Sequence, residues 1–246
     1  MNIIVNDLLT HYEKTGKGKS VLLILPGWGH TTNQWEALSN LLLSNITVIC
    51  LDLPSFGQTQ SLQSTPGVPE YSQFVVAFIK KLKLKNITLL GHSFGGQIAT
   101  DMVLHHPELV EHLIFISPAN IRNTRVGVMP KIRSVLKPLI SVLPKSVVNY
   151  LFQKSASTDY LNSDISQRNV LNNILKQDYS SKLSRISTPT SIIWGSEDKE
   201  IPYMGKFLAE QIPNSKLYVL YGADHSPQLS SPEKLASIID GIIKEK

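Results

Sequence analysis

The chain has 246 residues, 42% of them apolar, and a formal net charge of +5. That length suits one large α/β domain, or one domain carrying an insertion, and that apolar share excludes a disordered chain. The longest apolar runs are about strand length, far short of the ~18 residues that read as a membrane span.

Taken in chain order, the first fifteen residues read as a hairpin at a sheet edge. They carry no basic, apolar leader, which points to a mature, cytoplasmic chain. Val21–Leu25 is a continuous apolar run, as a strand buried on both faces requires. Asn33–Leu42 places Trp35, Leu38, Leu41 and Leu42 at helical spacing. Ile46–Leu53 reads as a second buried strand. It holds Cys50, the only cysteine, so no disulfide can form within the chain. Tyr71, Phe74, Val75, Phe78, Ile79 and Leu82 form a helical stripe. Ile87–Leu90 is a strand, and Gln97–Val103 an amphipathic helix closed by Pro107. Leu113–Ile116, Thr190–Trp194 and Lys216–Leu220 are further strands. A final helix starts at Ser231-Pro232, an N-cap residue followed by proline at the first helical position. Its apolar face is Leu235, Ile238, Ile239 and Ile242.

Strands alternating with helices predict a mostly parallel sheet covered on both faces. Residues 119–185 break that rhythm. They show helical stripes at Ile132–Leu143, kinked by Pro138, then at Val147–Phe152 and more weakly at Ile165–Leu175. We read them as a helical cap insertion, with 1–118 and 186–246 forming the core domain. The charge divides the same way. Residues 119–185 hold eleven Lys and Arg against three Asp and Glu, and the remainder thirteen against sixteen. No Arg-rich tract accompanies the basic segment, so nucleic acid is not an expected partner. A solvated surface is the plain reading of that charge. Steering of an anionic substrate, or contact with an acidic surface, are the functional ones.

Between the Ile87–Leu90 strand and its helix lies Gly91-His92-Ser93-Phe94-Gly95. Strand, G-x-S-x-G, helix is the context of a nucleophile elbow, in which a sharp turn lifts the serine off the strand end. A serine at such a junction otherwise serves as an N-cap. A serine hydroxyl is a poor nucleophile at neutral pH and needs a base, usually histidine, which a carboxylate orients. Both belong on loops after later strands, at the same sheet edge. Asp198 follows Thr190–Trp194, and His225 follows Lys216–Leu220. Glu197 and Glu200 are alternative partners for the histidine, and Asp52 is an alternative acid that otherwise braces its loop. Asp224 is expected to be structural, and His92 to pack behind the site. His105-His106 read as helix C-terminal residues rather than metal ligands. His30 and Trp35 either line the pocket or pack in the core.

Four stretches now carry a resemblance: Pro26-Gly27-Trp28-Gly29, Asp52-Leu53-Pro54-Ser55-Phe56-Gly57, the Ser93 elbow, and Gly195…Asp198 with His225. Together they resemble the α/β-hydrolase fold superfamily, in its compact serine-nucleophile branch with a helical cap. The resemblance spans nearly the whole chain and implies an eight-stranded, mostly parallel sheet. It implies Ser93 as nucleophile, His225 as general base and acid, and Asp198 as its orienting carboxylate. The oxyanion hole would use the backbone N–H groups of Trp28 and Phe94. Family members often have His-Gly where this chain has Pro26-Gly27, but the donors are backbone groups. No cofactor and no metal are expected. Relatives that displace halide or open epoxides carry aspartate at the elbow, so Ser93 favours acyl transfer to water. The expected activity is hydrolysis of a small or medium carboxylic ester or thioester, without stable membrane insertion. Hydrolysis of a carbon–carbon bond is the alternative, although relatives doing it commonly carry Asn where His92 stands. A menaquinone-pathway-like lyase is another, and a non-catalytic binding module on the same fold is the reading from a different class.

Overall fold

The computed structural model describes residues 1–42, 46–63, 65–120 and 165–245. Among them, eight strands form one sheet. These are β1 (Asn2–Val5), β2 (Leu8–Thr15), β3 (Ser20–Leu25), β4 (Ile46–Leu51), β5 (Ile87–His92), β6 (His112–Ile116), β7 (Thr190–Gly195) and β8 (Ser215–Leu220). Their spatial order is β1-β2-β4-β3-β5-β6-β7-β8. β1–β2 and β2–β4 are antiparallel, and every other pairing is parallel. The expected hairpin is β1–β2, turned by Asn6 and Asp7, both at positive φ, which such tight turns require.

Alternation along the strands explains the unbroken apolar runs. Val21, Leu23 and Leu25 of β3 and Leu113 and Phe115 of β6 face one core. That core includes Val75 and Ile79 of α2 (Val68–Leu82) and Ile98 and Met102 of α3 (Phe94–His105). Leu22, Ile24, Ile114 and Ile116 face a second core. There they meet Leu38 of α1 (Glu36–Leu41) and Leu235, Ile239 and Ile242 of the C-terminal helix Pro232–Lys244. β3 over Val21–Leu25 and β6 over Leu113–Ile116 are apolar at every position because helices cover both faces of the sheet there.

Helix ends follow local chemistry. Gly67 opens α2, its N–H donating to Glu70 Oε2 at 2.7 Å, and Lys83 closes it in the left-handed region. Ser231 stands at the N-cap of the C-terminal helix with Pro232 after it, but its hydroxyl makes no capping bond.

The chain leaves the sheet after β6 and re-enters it at β7. In between, α4 (Ile165–Ile174) realises the weaker apolar stripe, burying Val170, Leu171 and Ile174 on the α2–α3 side. Leu175 lies beyond it and is exposed. Tyr179 anchors the returning chain, its N–H donating to Asn120 O at 3.0 Å and its hydroxyl to Asp101 Oδ1 at 3.0 Å. The stripes at 132–143 and 147–152, with Pro138, lie outside the described residues.

Two short helices had no sequence signal: α5 (Gly205–Gln211) and α6 (Pro227–Ser230). The parallel β7–β8 pairing needs a crossover, which α5 supplies. The C-terminal helix is accordingly α7. No helix among the described residues is long and apolar enough to cross a membrane.

The sheet order reverses at β3, whose neighbours are β4 and β5. Loops leaving the C-terminal ends of β3 and β5 therefore bound a crevice, the usual place for a ligand in such a sheet.

Candidate active site

Ser93 sits between β5 and α3 with φ 50° and ψ −113°. A non-glycine residue there costs of order 1–3 kcal/mol and persists only when its surroundings hold it. Three main-chain bonds do so. Ser93 N–H donates to Ile116 O, and Ser93 O accepts from Gly96 and Ala119 N–H, each at 3.0 Å. The elbow also depends on absent side chains. A Cβ on Gly95 would lie 2.0 Å from Leu25 O, and one on Gly91 would lie 2.6 Å from Gly95 O. Both glycines let α3 close onto the ends of β3 and β5.

The loop after β3 folds against this turn. A Cβ on Gly27 would meet Ser93 Cβ at 3.3 Å, and His30 N–H donates to Gly27 O at 3.2 Å. Pro26 therefore leaves the loop a closed turn. Trp28 stacks edge-on against Phe94 at 5.6 Å and Phe56 at 4.9 Å between ring centroids. Tyr71 meets Phe94 from α2 at 5.1 Å. Sequence reasoning assigned nothing to Phe56 or Tyr71 at this site. Phe56 lay within a quoted motif, but Tyr71 read as one member of a helical stripe.

Asp198 and His225 meet although 27 residues apart, with His225 Nδ1 2.8 Å from Asp198 Oδ2. The β7–β8 register pairs Gly195 with Leu220, so the two loops leave the sheet side by side. Ser196 N–H donates to Leu220 O and Glu197 N–H to Ala223 O, which ties the loops together. The other oxygen of Asp198 accepts from the N–H groups of Glu200 and Ile201, at 3.0 and 3.1 Å. Burial alone would raise the Asp198 carboxyl. The hydrogen bond and charge of His225, with Ile201 N–H and the Ser117 hydroxyl, together hold it below the usual carboxylate range. A carboxylate on Nδ1–H makes Nε2 the unprotonated nitrogen of His225, the one that can accept a proton.

The alternatives separate cleanly. Glu200 Oε2 lies 3.9 Å from His225 Nε2 and is exposed, so it flanks the ring without orienting it. Asp224 Oδ1 accepts from Ser226 N–H and the Ser230 hydroxyl, bracing the turn into α6. Asp52 is buried and accepts from Thr32 and Gln58 N–H while lying 3.0 Å from His11 Nδ1. It braces its loop, as expected, and takes no part in the His225 pair. Trp35 is fully buried in the core rather than lining a pocket. His105 Nδ1 lies 2.8 Å from Asp101 O at the end of α3. Among the described residues no group of three His, Cys, Asp or Glu is arranged to hold a metal ion.

His92 packs behind the elbow, with its Nε2 2.8 Å from His225 O. Burial, then the nearby His225 and His30, push its pKa well below the ordinary value. His30 is shifted the same way, first by burial and then by His225.

The profile of the Alpha/beta hydrolase family matches residues 21–238. The chain belongs to that family. It is 26% identical to a 2-hydroxy-6-oxononadienedioate/2-hydroxy-6-oxononatrienedioate hydrolase from Burkholderia vietnamiensis, over 95% of this chain and 90% of that protein. It is likewise 26% identical to a pimeloyl-[acyl-carrier protein] methyl ester esterase from Aeromonas hydrophila, over 94% of this chain and 98% of that one. An esterase from Exiguobacterium antarcticum shares the fold with TM-score 0.78 at 22% identity, covering 99% of both chains. As a member of this family the protein is an enzyme of the hydrolase class acting on a small molecule.

Proposed function

We propose that the protein is a serine hydrolase that cleaves a small or medium carboxylic ester or thioester through an acyl-enzyme on Ser93. The observation that carries this reading is the 2.8 Å His225–Asp198 pair, whose histidine has its carbonyl oxygen 2.8 Å from Nε2 of His92, the residue before the strained Ser93. In the proposed cycle Ser93 Oγ attacks the substrate carbonyl while His225 Nε2 takes the hydroxyl proton. Asp198 stabilises the imidazolium that results. The negative charge on the carbonyl oxygen develops against the N–H groups of Trp28 and Phe94. Collapse expels the alcohol or thiol, which receives the proton from His225. Water then attacks the acyl-Ser93 carbonyl and gives its proton to His225, which returns it to Ser93 as the acid departs.

The division into a core of 1–118 and 186–246 with a cap of 119–185 belongs to the same proposal. Such a segment would help to select the acyl group. The Aeromonas relative, an esterase by name, supports the ester reading. The Burkholderia relative supports the competing one, carbon–carbon bond hydrolysis of a diketone-like acid by the same residues.

A fluorophosphonate probe tests the nucleophile. Wild type should be labelled at Ser93, and Ser93→Ala should not. An unlabelled wild type would overturn the acyl-enzyme reading. Turnover of a panel of esters, thioesters and diketones then separates the two reactions.

A further inference from the structure

His92 immediately precedes the nucleophile, yet the one hydrogen bond of its side chain among the described residues runs to the main-chain oxygen of His225, 133 residues away. A carbonyl oxygen only accepts, so Nε2 carries the proton and donates it. Nδ1 is then the unprotonated nitrogen. It makes no hydrogen bond among the described residues and faces Gly27, where a Cβ would lie 2.9 Å away. The ring is held on every side. His30 stacks on it at 5.4 Å and 24°, Trp35 meets it edge-on at 5.8 Å, and the His225 ring lies 4.9 Å away. It is buried, 1% exposed. Nδ1 has no partner among the described residues, and Nε2 is committed to the His225 carbonyl. The ring suits a fixed donor and not a proton carrier.

We propose that His92 is a positioning residue for the base. Its Nε2–H clamps the His225 carbonyl, and so fixes where the His225 ring stands relative to Ser93 at the end of the same strand. The inference rests on the reading of Ser93 and His225 as nucleophile and base. Asp198 fixes the His225 ring through Nδ1, whereas His92 fixes its backbone. Two independent ties from β7 and β5 thus set both the orientation and the height of one imidazole. Among the described residues, the ionisable groups around the pair are Asp198 and Glu200 from the β7 loop and His30 from the β3 loop. Because its pKa is held well below the ordinary value, His92 itself sets no positive charge against the imidazolium that forms on His225 during turnover.

The test uses the fluorophosphonate labelling rate across pH for wild type, His92→Leu and His92→Gln, with thermal unfolding of each. Glutamine places an amide N–H where His92 carries Nε2–H, and leucine offers none. His92→Leu should label about 10–100-fold more slowly, as for a reacting group displaced by about an ångström. The acid limb of its pH profile should move to lower pH, because a loosened Asp198–His225 pair favours the imidazolium less. His92→Gln should recover most of the rate and the wild-type profile. A labelled wild type with His92→Leu at the same rate and profile overturns the inference and leaves the triad standing. Equal slowing of both variants, in proportion to lost stability, does the same. A wild type that resists the probe overturns the triad reading itself, and this inference with it.

Discussion

Asp198 shows how one carboxylate divides its work. One oxygen is tied down by Glu200 and Ile201 N–H, and the other is offered to His225. An amide would keep the shape but lose the charge, and could present its NH2 group to Nδ1, which stabilises the wrong tautomer. Asp198→Asn should therefore lower kcat/KM by about 10⁴-fold with the fold intact, measured with an activated ester alongside circular dichroism. A loss of less than tenfold would move the acid's role elsewhere. At this scale Ser93, Asp198 and His225 were legible as candidates from residue type, order and position past strand ends, whereas Trp28 and Phe94 came from the family resemblance. The role of His92 was not legible. Its neighbours in sequence say only that it lies in the elbow, and its partner is a backbone atom that no side-chain pattern reports. Likewise the buried pairing of Asp52 with His11 needed β2 to lie beside β4.

The elbow is a junction of three elements, and Gly95 is where they touch. A methyl group there would enter the space of the Leu25 and Pro26 carbonyls at the end of β3. These are backbone atoms, so neither partner can swing aside. Gly95→Ala should cost about 1–3 kcal/mol in urea unfolding by overpacking, and should slow labelling of Ser93 as well. A variant with wild-type stability and rate would mean that α3 shifts freely against the sheet. Long elements were legible because their periodicity is sustained. α2 places Tyr71, Phe74, Val75, Phe78 and Ile79 in the core as its stripe requires. α5 and α6 are only seven and four residues long and are set by the loops they close. No stripe of that length distinguishes a helix from a turn.

At the scale of the molecule, acid and salt act through different residues. Folded His92 and His30 hold their protons less tightly than the ordinary value of 6.5, so below that pH the unfolded chain binds more protons than the folded one. The stability these two groups contribute then falls as pH drops through and below 6.5. His92 contributes up to about 1.4 kcal/mol per pH unit. Asp198 adds a loss in the same direction only below its ordinary value of 3.8. Urea unfolding at pH 7.5 and 5.5 should show this fall, and a shallower one for His92→Gln; identical slopes would refute the assignment. Salt tests the uneven charge. If the basic 119–185 segment draws in anions, kcat/KM for an anionic ester should decline with ionic strength more than for a neutral one. An equal response of both esters retires the steering idea.

The sequence by itself determined the sheet-and-helix alternation, the elbow and the order of Ser93 and its two expected partners, because each rests on local periodicity or on a residue type at a strand end. Only the tertiary structure decided which carboxylate reaches His225, since Asp198, Glu200, Asp224 and Asp52 all satisfy the same local pattern. Strand order brings the β7 and β8 loops together and turns Asp52 toward β2 instead. The same packing set His92 against the His225 backbone, because a contact across 133 residues exists only once β5 and the β8 loop share an edge.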